Sequence, residues 1–273
     1  MDFAPNVEVL VKCLRDHRDV QAVTLFGSRT RDGGRDADVD SDVDLQVICR
    51  RPTNWVSPEW AKRILPPEAL LTWNVRDAFG GVKKISIVLG DGELDLVIVP
   101  AARMRLARWA LWLGLHRRHP GIRRKLGDIA LVMGEGHRVL KGGAKWERFY
   151  RRISVDVPLP GMTDEDVRNA VAGVEVDLVS IRRKLSRGEL RAAQRWLHTG
   201  IAETNFKLMH ELRRRRGARS HHDGRRAEQV LPEAELGLVT VSARLDAQEL
   251  ESASEAAASA TRKLGEALLT QPR

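Results

Sequence analysis

The order of apolar and polar positions divides the chain into a strand-rich N-terminal part and a helical C-terminal part. Apolar residues recur every three to four positions over residues 6–18, which predicts an amphipathic helix. Runs rich in Val, Ile and Leu follow and predict strands, because such residues fit a pleated, half-buried surface. These predicted strands cover residues 21–26, 43–49, 84–89 and 93–99. The segment Gly90-Asp91-Gly92 between the last two predicts a hairpin turn.

Residues 52–67, after the second predicted strand, predict a connector with one short helix. Ser57 and Pro58 are typical of an N-cap and a first helical position. Three tryptophans lie in or near this connector: Trp55, Trp60 and Trp73. We expect them to pack in the core or in a hydrophobic lid, which is the commoner role for tryptophan. The alternative is that one of them stacks on a nucleotide base.

From Ala101 onward the apolar residues follow a helical period. One predicted helix carries an apolar stripe made of Leu106, Trp109, Ala110 and Leu113. Residues 153–162 contain two prolines and predict a linker. Three long amphipathic segments then predict an antiparallel helical bundle, and they cover residues 164–185, 189–216 and 246–269. The expected fold class is α+β: a mixed sheet with flanking helices at 1–152, followed by the bundle at 153–273.

Charge and cysteine content narrow the function classes. The 273 residues carry a formal net charge of +9, which favours anionic partners such as nucleotides and nucleic acid. The chain has no apolar run of about 18 residues, so no membrane span is expected, and its N-terminus lacks the pattern of a secretion signal. Cys13 and Cys49 are too few for a disulfide framework or a metal cluster. We interpret both as small buried hydrophobes in a reducing cytoplasm.

Candidate chemistry is concentrated at the ends of the predicted strands. The first strand ends in Gly27-Ser28, and Asp42 and Asp44 stand at the start of the second. Side chains at i and i+2 of a strand point to one face, so the two carboxylates should project together. They would repel each other unless a cation sat between them. Asp95, on another predicted strand, is the natural third ligand, and oxygen ligands of this kind suit Mg²⁺ with substrate phosphates. The residues therefore predict a metal site facing a phosphate loop.

The choice of Asp42 and Asp44 is one of several registers. Aspartate also stands at every second position upstream, at Asp36, Asp38 and Asp40. Any consecutive pair has the required spacing, but only Asp42 and Asp44 adjoin the apolar run 45–48. The alternative interpretation is that the whole acidic run is a solvated turn and that Gly-Ser merely ends a strand.

Gly-Ser, then Asp-x-Asp at a strand start, then a distant Asp on another strand resembles the DNA polymerase beta-like nucleotidyltransferase superfamily. Within it, residues 27–30 and 89–96 resemble the antibiotic nucleotidyltransferases of the streptomycin 6-adenylyltransferase type. The resemblance covers about residues 20–100. It implies that Mg²⁺ is the cofactor and that ATP or another NTP gives its nucleoside monophosphate, AMP first, to an acceptor hydroxyl with release of pyrophosphate. It also implies metal-binding and catalytic roles for Asp42, Asp44 and Asp95, and nucleotide contacts for Gly27, Ser28 and Arg29.

The helical half carries two weaker candidates. Glu203 and Lys207 are one turn apart on the central predicted helix, which is typical of an ordinary surface ion pair. The functional interpretation is that Glu203 is the general base for the acceptor hydroxyl and that Lys207 binds phosphate, with the site in a cleft between the domains. Antibiotic nucleotidyltransferases often place such a glutamate on their helical half. His221-His222-Asp223 predicts a solvent loop rather than a zinc site, because no partner cluster lies nearby in the sequence.

The acceptor is open at this level. The resemblance implies a nucleotidyltransferase domain at 1–152 and an acceptor-side domain at 153–273, and it favours a small antibiotic such as an aminoglycoside. The net charge of +9 favours tRNA or another macromolecule, as in a toxin-like enzyme. A non-catalytic nucleic-acid-binding protein of this fold is the remaining alternative. If RNA is the acceptor, we expect the arginines at 213–216 and 225–226 to contact its phosphates.

Overall fold

A computed structural model describes residues 3–30, 41–78, 81–159, 161–221 and 224–271. Six strands are present in these ranges: β1 (Val20–Phe26), β2 (Val43–Cys49), β3 (Leu70–Ala78), β4 (Val82–Leu89), β5 (Gly92–Pro100) and β6 (Arg138–Lys141). The helices of the first part are α1 (Pro5–Asp16), α2 (Thr53–Val56), α3 (Glu59–Lys62), α4 (Ala101–Trp112), α5 (Pro120–Gly134) and α6 (Ala144–Asp156). Those of the second part are α7 (Asp164–Ser186), α8 (Leu190–Trp196), α9 (Glu203–Arg215), α10 (Ala227–Val230), α11 (Glu233–Val239) and α12 (Ala247–Thr270).

The six strands form one mixed sheet in the order β3-β4-β5-β2-β1-β6. The pair β2–β5 is parallel, and its register places Asp44 opposite Asp95. The other neighbours are antiparallel. The hairpin predicted around Gly90-Asp91-Gly92 is confirmed, with Leu89 opposite Gly92. With the helical second part, this confirms the α+β class.

Each face of the sheet is covered by helices. On one face, Leu45 and Leu96 pack with Leu10 and Leu14 of α1. On the other face, helices α4, α5 and α6 supply the cover, with Tyr150 as the largest side chain of α6 there apart from a tryptophan. Burying each Leu side chain is worth about 1.5 to 3 kcal/mol. These two cores hold β2 and β5 in register at the centre of the sheet.

The chain separates into two compact units, Met1–Pro160 and Gly161–Arg273. The boundary predicted after residue 152 falls inside α6, which continues to Asp156. In the second unit, α7 and α12 pack together with the segment formed by α8, a π-helical stretch (Leu197–Ala202) and α9. The roles of the two units as nucleotidyltransferase and acceptor-side domains stay predictions. Among the described residues, no helix combines the length and apolar character that crossing a membrane requires.

Helix α4 buries a different side from the predicted stripe. Leu106 and Trp109 are 71% and 65% exposed, whereas Met104 and Leu111 are buried. Apolar residues surround most of this helix, so their period alone does not select the buried face. The face is set by Pro100 at the end of β5, from which the helix starts directly.

The connector between β2 and β3 differs from the prediction in two details, the first being that it contains two short helices, α2 and α3, where one was predicted. Its second short helix begins at Glu59 with Pro58, not Ser57, in the N-cap position. The packing role predicted for the tryptophans is confirmed. Trp60 contacts both Trp55 and Trp73 edge to face, and all three join the core on the α1 side of the sheet.

Candidate metal and nucleotide site

Three aspartates converge near the ends of β2 and β5. Asp44 and Asp95 are opposite each other in the parallel register, and Asp42 immediately precedes β2. One carboxylate oxygen from each lies within 4.8 Å of the others. Among the described residues, this is the one group of three or more acidic, His or Cys side chains close enough to hold a metal ion. The structure thus brings together the residues singled out by their sequence spacing, while their role as metal ligands stays a prediction.

Gly27 passes directly beside this cluster. It follows β1, whose last residue, Phe26, is paired with Asp44. The φ of Gly27 is +80°, and a Cβ added there would lie 2.3 Å from Oδ2 of Asp44. The resemblance implies a nucleotide contact for this glycine, which stays a prediction. The structure supplies a further reason for glycine here, since the backbone at Gly27 must make room for the Asp44 carboxylate.

Ser28 carries a buried hydroxyl beside the acidic cluster. The residue is 7% exposed, and its Oγ has no hydrogen-bond partner among the described residues. Most buried side-chain oxygens are hydrogen-bonded, and leaving one unpaired costs about 1 to 3 kcal/mol. A bound phosphate oxygen would accept from this hydroxyl, so Ser28 fits the predicted nucleotide contact.

Arg29 holds the backbone at the start of β2, while its predicted contact with the nucleotide stays a prediction. Its Nη2 donates to the carbonyl oxygen of Ser41 at 2.7 Å and its Nε to that of Asp42 at 3.1 Å. The guanidinium therefore fixes the backbone that carries the first aspartate. Thr30 holds the same loop, donating through Oγ1 to the carbonyl oxygens of Gly27 and Gly136 at 3.0 and 2.8 Å.

Lys84 of β4 is a member of the site that the sequence interpretation missed. Its Nζ contacts Oδ2 of Asp95 and lies 4.0 Å from Oδ1 of Asp44. A signal was present, because the hairpin turn sets the register that places Ser86 opposite Asp95. Since Ile85 is buried on the α1 side, Lys84 and Ser86 project from the other face.

The charges and donor atoms fit a hard divalent cation. Three carboxylates and one ammonium leave the cluster with a formal charge of −2. Carboxylate oxygens are the ligands that Mg²⁺ prefers, and it commonly shares them with substrate phosphates. The hydroxyl of Ser28, which has no partner among the described residues, adds a hydrogen-bond donor for an anionic ligand beside this cluster.

The remaining predicted site residues lie on α9 in the second unit. Glu203 and Lys207 of α9 form an ion pair with each other, 2.5 Å from Oε1 to Nζ, and both side chains are more than half exposed. This is the geometry of a surface i, i+4 pair, and their catalytic roles stay predictions. Several residues of the alternative interpretations lie outside the described residues: Asp36, Asp38, Asp40, His222 and Asp223.

Comparisons with known proteins give structural similarities only. No protein-family model matches the chain, and no curated protein matches it in sequence. An aminoglycoside 6-adenyltransferase from Bacillus subtilis is 12% identical, with a TM-score of 0.39, over 98% of this chain and 91% of that one. A nucleotidyltransferase-like protein from Exiguobacterium sibiricum is 16% identical, with a TM-score of 0.36, over 96% of this chain and 73% of that one. Because both TM-scores are below 0.5, neither similarity bears on reaction, metal or substrate.

Proposed function

We propose that this protein is a Mg²⁺-dependent nucleotidyltransferase that moves a nucleoside monophosphate, AMP first, from an NTP to an acceptor hydroxyl and releases pyrophosphate. The observation that carries the proposal is the convergence of Asp42, Asp44 and Asp95 beside a Gly-Ser loop whose buried hydroxyl has no partner in the part of the chain that the structure describes. A structural cluster of three carboxylates would cost stability with nothing to gain. That cost argues against a non-catalytic protein that merely keeps the fold.

Each residue of the cluster has a role in this proposal. Asp42, Asp44 and Asp95 would hold Mg²⁺, which when bound supplies positive charge to the phosphates. Ser28 would donate to a phosphate oxygen, and Gly27 leaves the space that the Asp44 carboxylate needs. Arg29 would contact the nucleotide, as the resemblance implies, and would also position Asp42 through the hydrogen bond to its backbone.

The acceptor hydroxyl needs a base to take its proton. Glu203 is the proposed base and Lys207 a proposed phosphate contact, on the sequence argument. Turnover would be compared between Glu203→Gln and the surface control Glu266→Gln. A loss of turnover in Glu203→Gln alone would distinguish a general base from a member of a surface ion pair. Retention of full turnover in Glu203→Gln would remove it from the mechanism.

We propose a small antibiotic such as an aminoglycoside as the first acceptor class, on the motif resemblance at residues 27–30 and 89–96. A tRNA or another nucleic acid is the second. The observation that favours it is a face of α4 on which Trp109 and Trp112 are exposed beside basic residues such as Arg105. Exposed aromatic rings can stack on bases while arginines neutralise phosphates.

The test is a transfer assay with each labelled NTP, Mg²⁺, a panel of antibiotics and total tRNA. Asp42→Asn and Asp44→Asn should each lower turnover about a hundredfold or more, because each removes a charged metal ligand. Their melting temperatures should stay equal or rise slightly, since an amide relieves carboxylate repulsion. Asp77→Asn is the matched control, as Asp77 is exposed and paired with Lys83 on the same sheet. Turnover within about tenfold of the unmodified chain in either site variant would overturn the proposal.

A further inference from the structure

Lys84 is placed differently from its neighbour on the same strand. Its side chain is 26% exposed, and the ammonium reaches two of the three carboxylates. Lys83, on the opposite face of β4, is 46% exposed and pairs with Asp77, which is 74% exposed. Lys83 therefore forms a surface ion pair, whereas the position of Lys84 is tied to the acidic cluster.

The position of Lys84 affects how much positive charge the cluster can accept. Lys84 contacts Asp95 and approaches Asp44, so any second divalent ion held by these carboxylates would lie close to its ammonium. An ammonium and a divalent ion repel each other strongly over the few ångströms available, at the partly buried rim of a sheet. With the ammonium present, the remaining formal charge of −2 matches one divalent ion.

We infer that Lys84 is a resident cation of this site: its ammonium takes the place of one metal ion beside Asp95, so that the three aspartates bind one divalent ion and not two. The inference rests on the proposed function, because it assumes that the aspartates bind metal. The ammonium of Lys84 then neutralises the one negative charge of the three carboxylates that a single divalent ion does not. The number of metal ions that the site binds would then depend on Lys84.

The test counts bound Mn²⁺ by electron paramagnetic resonance, without nucleotide, in the full chain. The unmodified protein, Lys84→Arg and Lys83→Met should each bind one Mn²⁺. Lys84→Met keeps the length of the side chain and removes its charge. This variant should bind a second Mn²⁺, and its affinity for the first should rise about tenfold or more. Asp44→Asn should abolish the binding, which assigns the ion to this cluster.

The outcomes separate the inference from the proposed function. If the unmodified chain binds no Mn²⁺, the proposed function is contradicted, and the inference with it. If it binds two ions, or if Lys84→Met matches it in both stoichiometry and affinity, the inference alone is wrong.

A thermal measurement gives a second readout. Without metal, Lys84→Met should melt at a lower temperature than Lys83→Met, because Asp95 and Asp44 lose the ammonium that lies beside them. Mg²⁺ should raise its melting temperature more than it raises that of the unmodified chain. If Lys84→Met is unfolded without metal, Mg²⁺ should restore its circular dichroism spectrum. Failure of Mg²⁺ to restore it would mean that Lys84 is structural, which contradicts the inference.

Discussion

Gly27 combines two features that disfavour every other residue at its position. Its φ of +80° lies in the left-handed region, and the space where a Cβ would point is filled by the carboxylate of Asp44. Gly81 shares the first feature without the second, since its φ is +68° and no atom of the described residues lies within 4 Å of an added Cβ. Comparing the same substitution at the two glycines therefore distinguishes the effect of backbone strain from the effect of displacing Asp44.

Gly27→Ala should lower both stability and turnover. A left-handed alanine costs about 1 to 2 kcal/mol, and a shift of Asp44 by about 1 Å lowers turnover about a hundredfold. Gly81→Ala should lose similar stability and keep its turnover. Urea unfolding and the transfer assay measure both quantities, and equal losses of turnover in the two variants would refute the explanation.

Ser28→Ala should leave the free protein as stable as before or more stable by up to about 1 kcal/mol, because it removes a buried hydroxyl that has no described partner. Its affinity for NTP should fall by about 1 to 3 kcal/mol, the worth of a hydrogen bond to a charged group. Thr30→Val is the contrasting variant, since Thr30 makes two hydrogen bonds to backbone oxygens and should lose stability. Unchanged NTP affinity in Ser28→Ala, measured by calorimetric titration, would exclude the phosphate contact.

At the scale of elements, the sequence predicted those strands and turns that are determined by the residues within them. The turn Gly90-Asp91-Gly92 fixed the β4–β5 hairpin, and the predicted strand 43–49 coincides with β2. Strand β3 was missed because most of its side chains are exposed, and β6 because it has only four residues. Lys84 was missed for another reason: the alternation of β4 and the hairpin turn place it near Asp95, but its approach to Asp44 depends on the pairing of β5 with β2, which is distant in the sequence.

Helix α9 carries a buried ion network. Glu211 is 4% exposed and accepts hydrogen bonds from Arg214 and Arg215. Arg215 also donates to the carbonyl oxygens of Leu268 and Met162, which ties α9 to α12 and to the start of α7. Burial acts to raise the pKa of Glu211, but the hydrogen bonds from the two arginines outweigh it, so the pKa is lowered from its ordinary value of 4.5.

A lowered pKa in the folded state gives a stability that is present above pH 4.5 and lost as the pH falls through the folded pKa. Glu211→Gln should therefore lose about 3 kcal/mol at pH 7, since it leaves the buried guanidinium of Arg215 without its nearest carboxylate, and should show a flatter decline in acid. Glu203→Gln, in an exposed pair, should lose about 1 kcal/mol or less. Urea unfolding between pH 7 and pH 3.5 measures both, and a steeper acid decline in Glu211→Gln would contradict this account.

At the scale of the whole molecule, the arginines that contribute to the net charge of +9 fall into two groups. Some are paired with acidic side chains, and others are exposed. The arginines at 213–216 were expected to contact RNA if RNA is the acceptor, yet the structure gives each of them an acidic partner. Arg213 and Arg216 contact Glu235, and Arg214 and Arg215 contact Glu211. A charge count cannot distinguish such internal pairs from a binding surface. Replacing these four residues would test the stability of the second unit rather than RNA binding.

The exposed arginines beside α4 give the sharper test of a nucleic-acid acceptor. If tRNA binds there, the logarithm of its affinity should fall steeply with the logarithm of salt concentration. Arg105→Ala and Arg117→Ala should each reduce that slope by about one. Arg191→Ala, an exposed position in the second unit, is the control. An aminoglycoside acceptor would leave transfer indifferent to all three, and tight, salt-sensitive tRNA binding with no label on any aminoglycoside would reverse our order of acceptors.

The parallel pairing of β2 with β5 also has a consequence during synthesis. Parallel neighbours cannot be joined by a tight turn, and here the chain makes β3 and β4 before β5 returns to lie beside β2. A nascent chain that ends before β5 already carries Asp42 and Asp44, but it lacks both Asp95 and the register that aligns it. Contacts between residues so far apart in sequence are slow to form. On the ribosome, the acidic cluster is therefore incomplete until the centre of the sheet closes, and the chain acquires its complete set of carboxylates only with its fold.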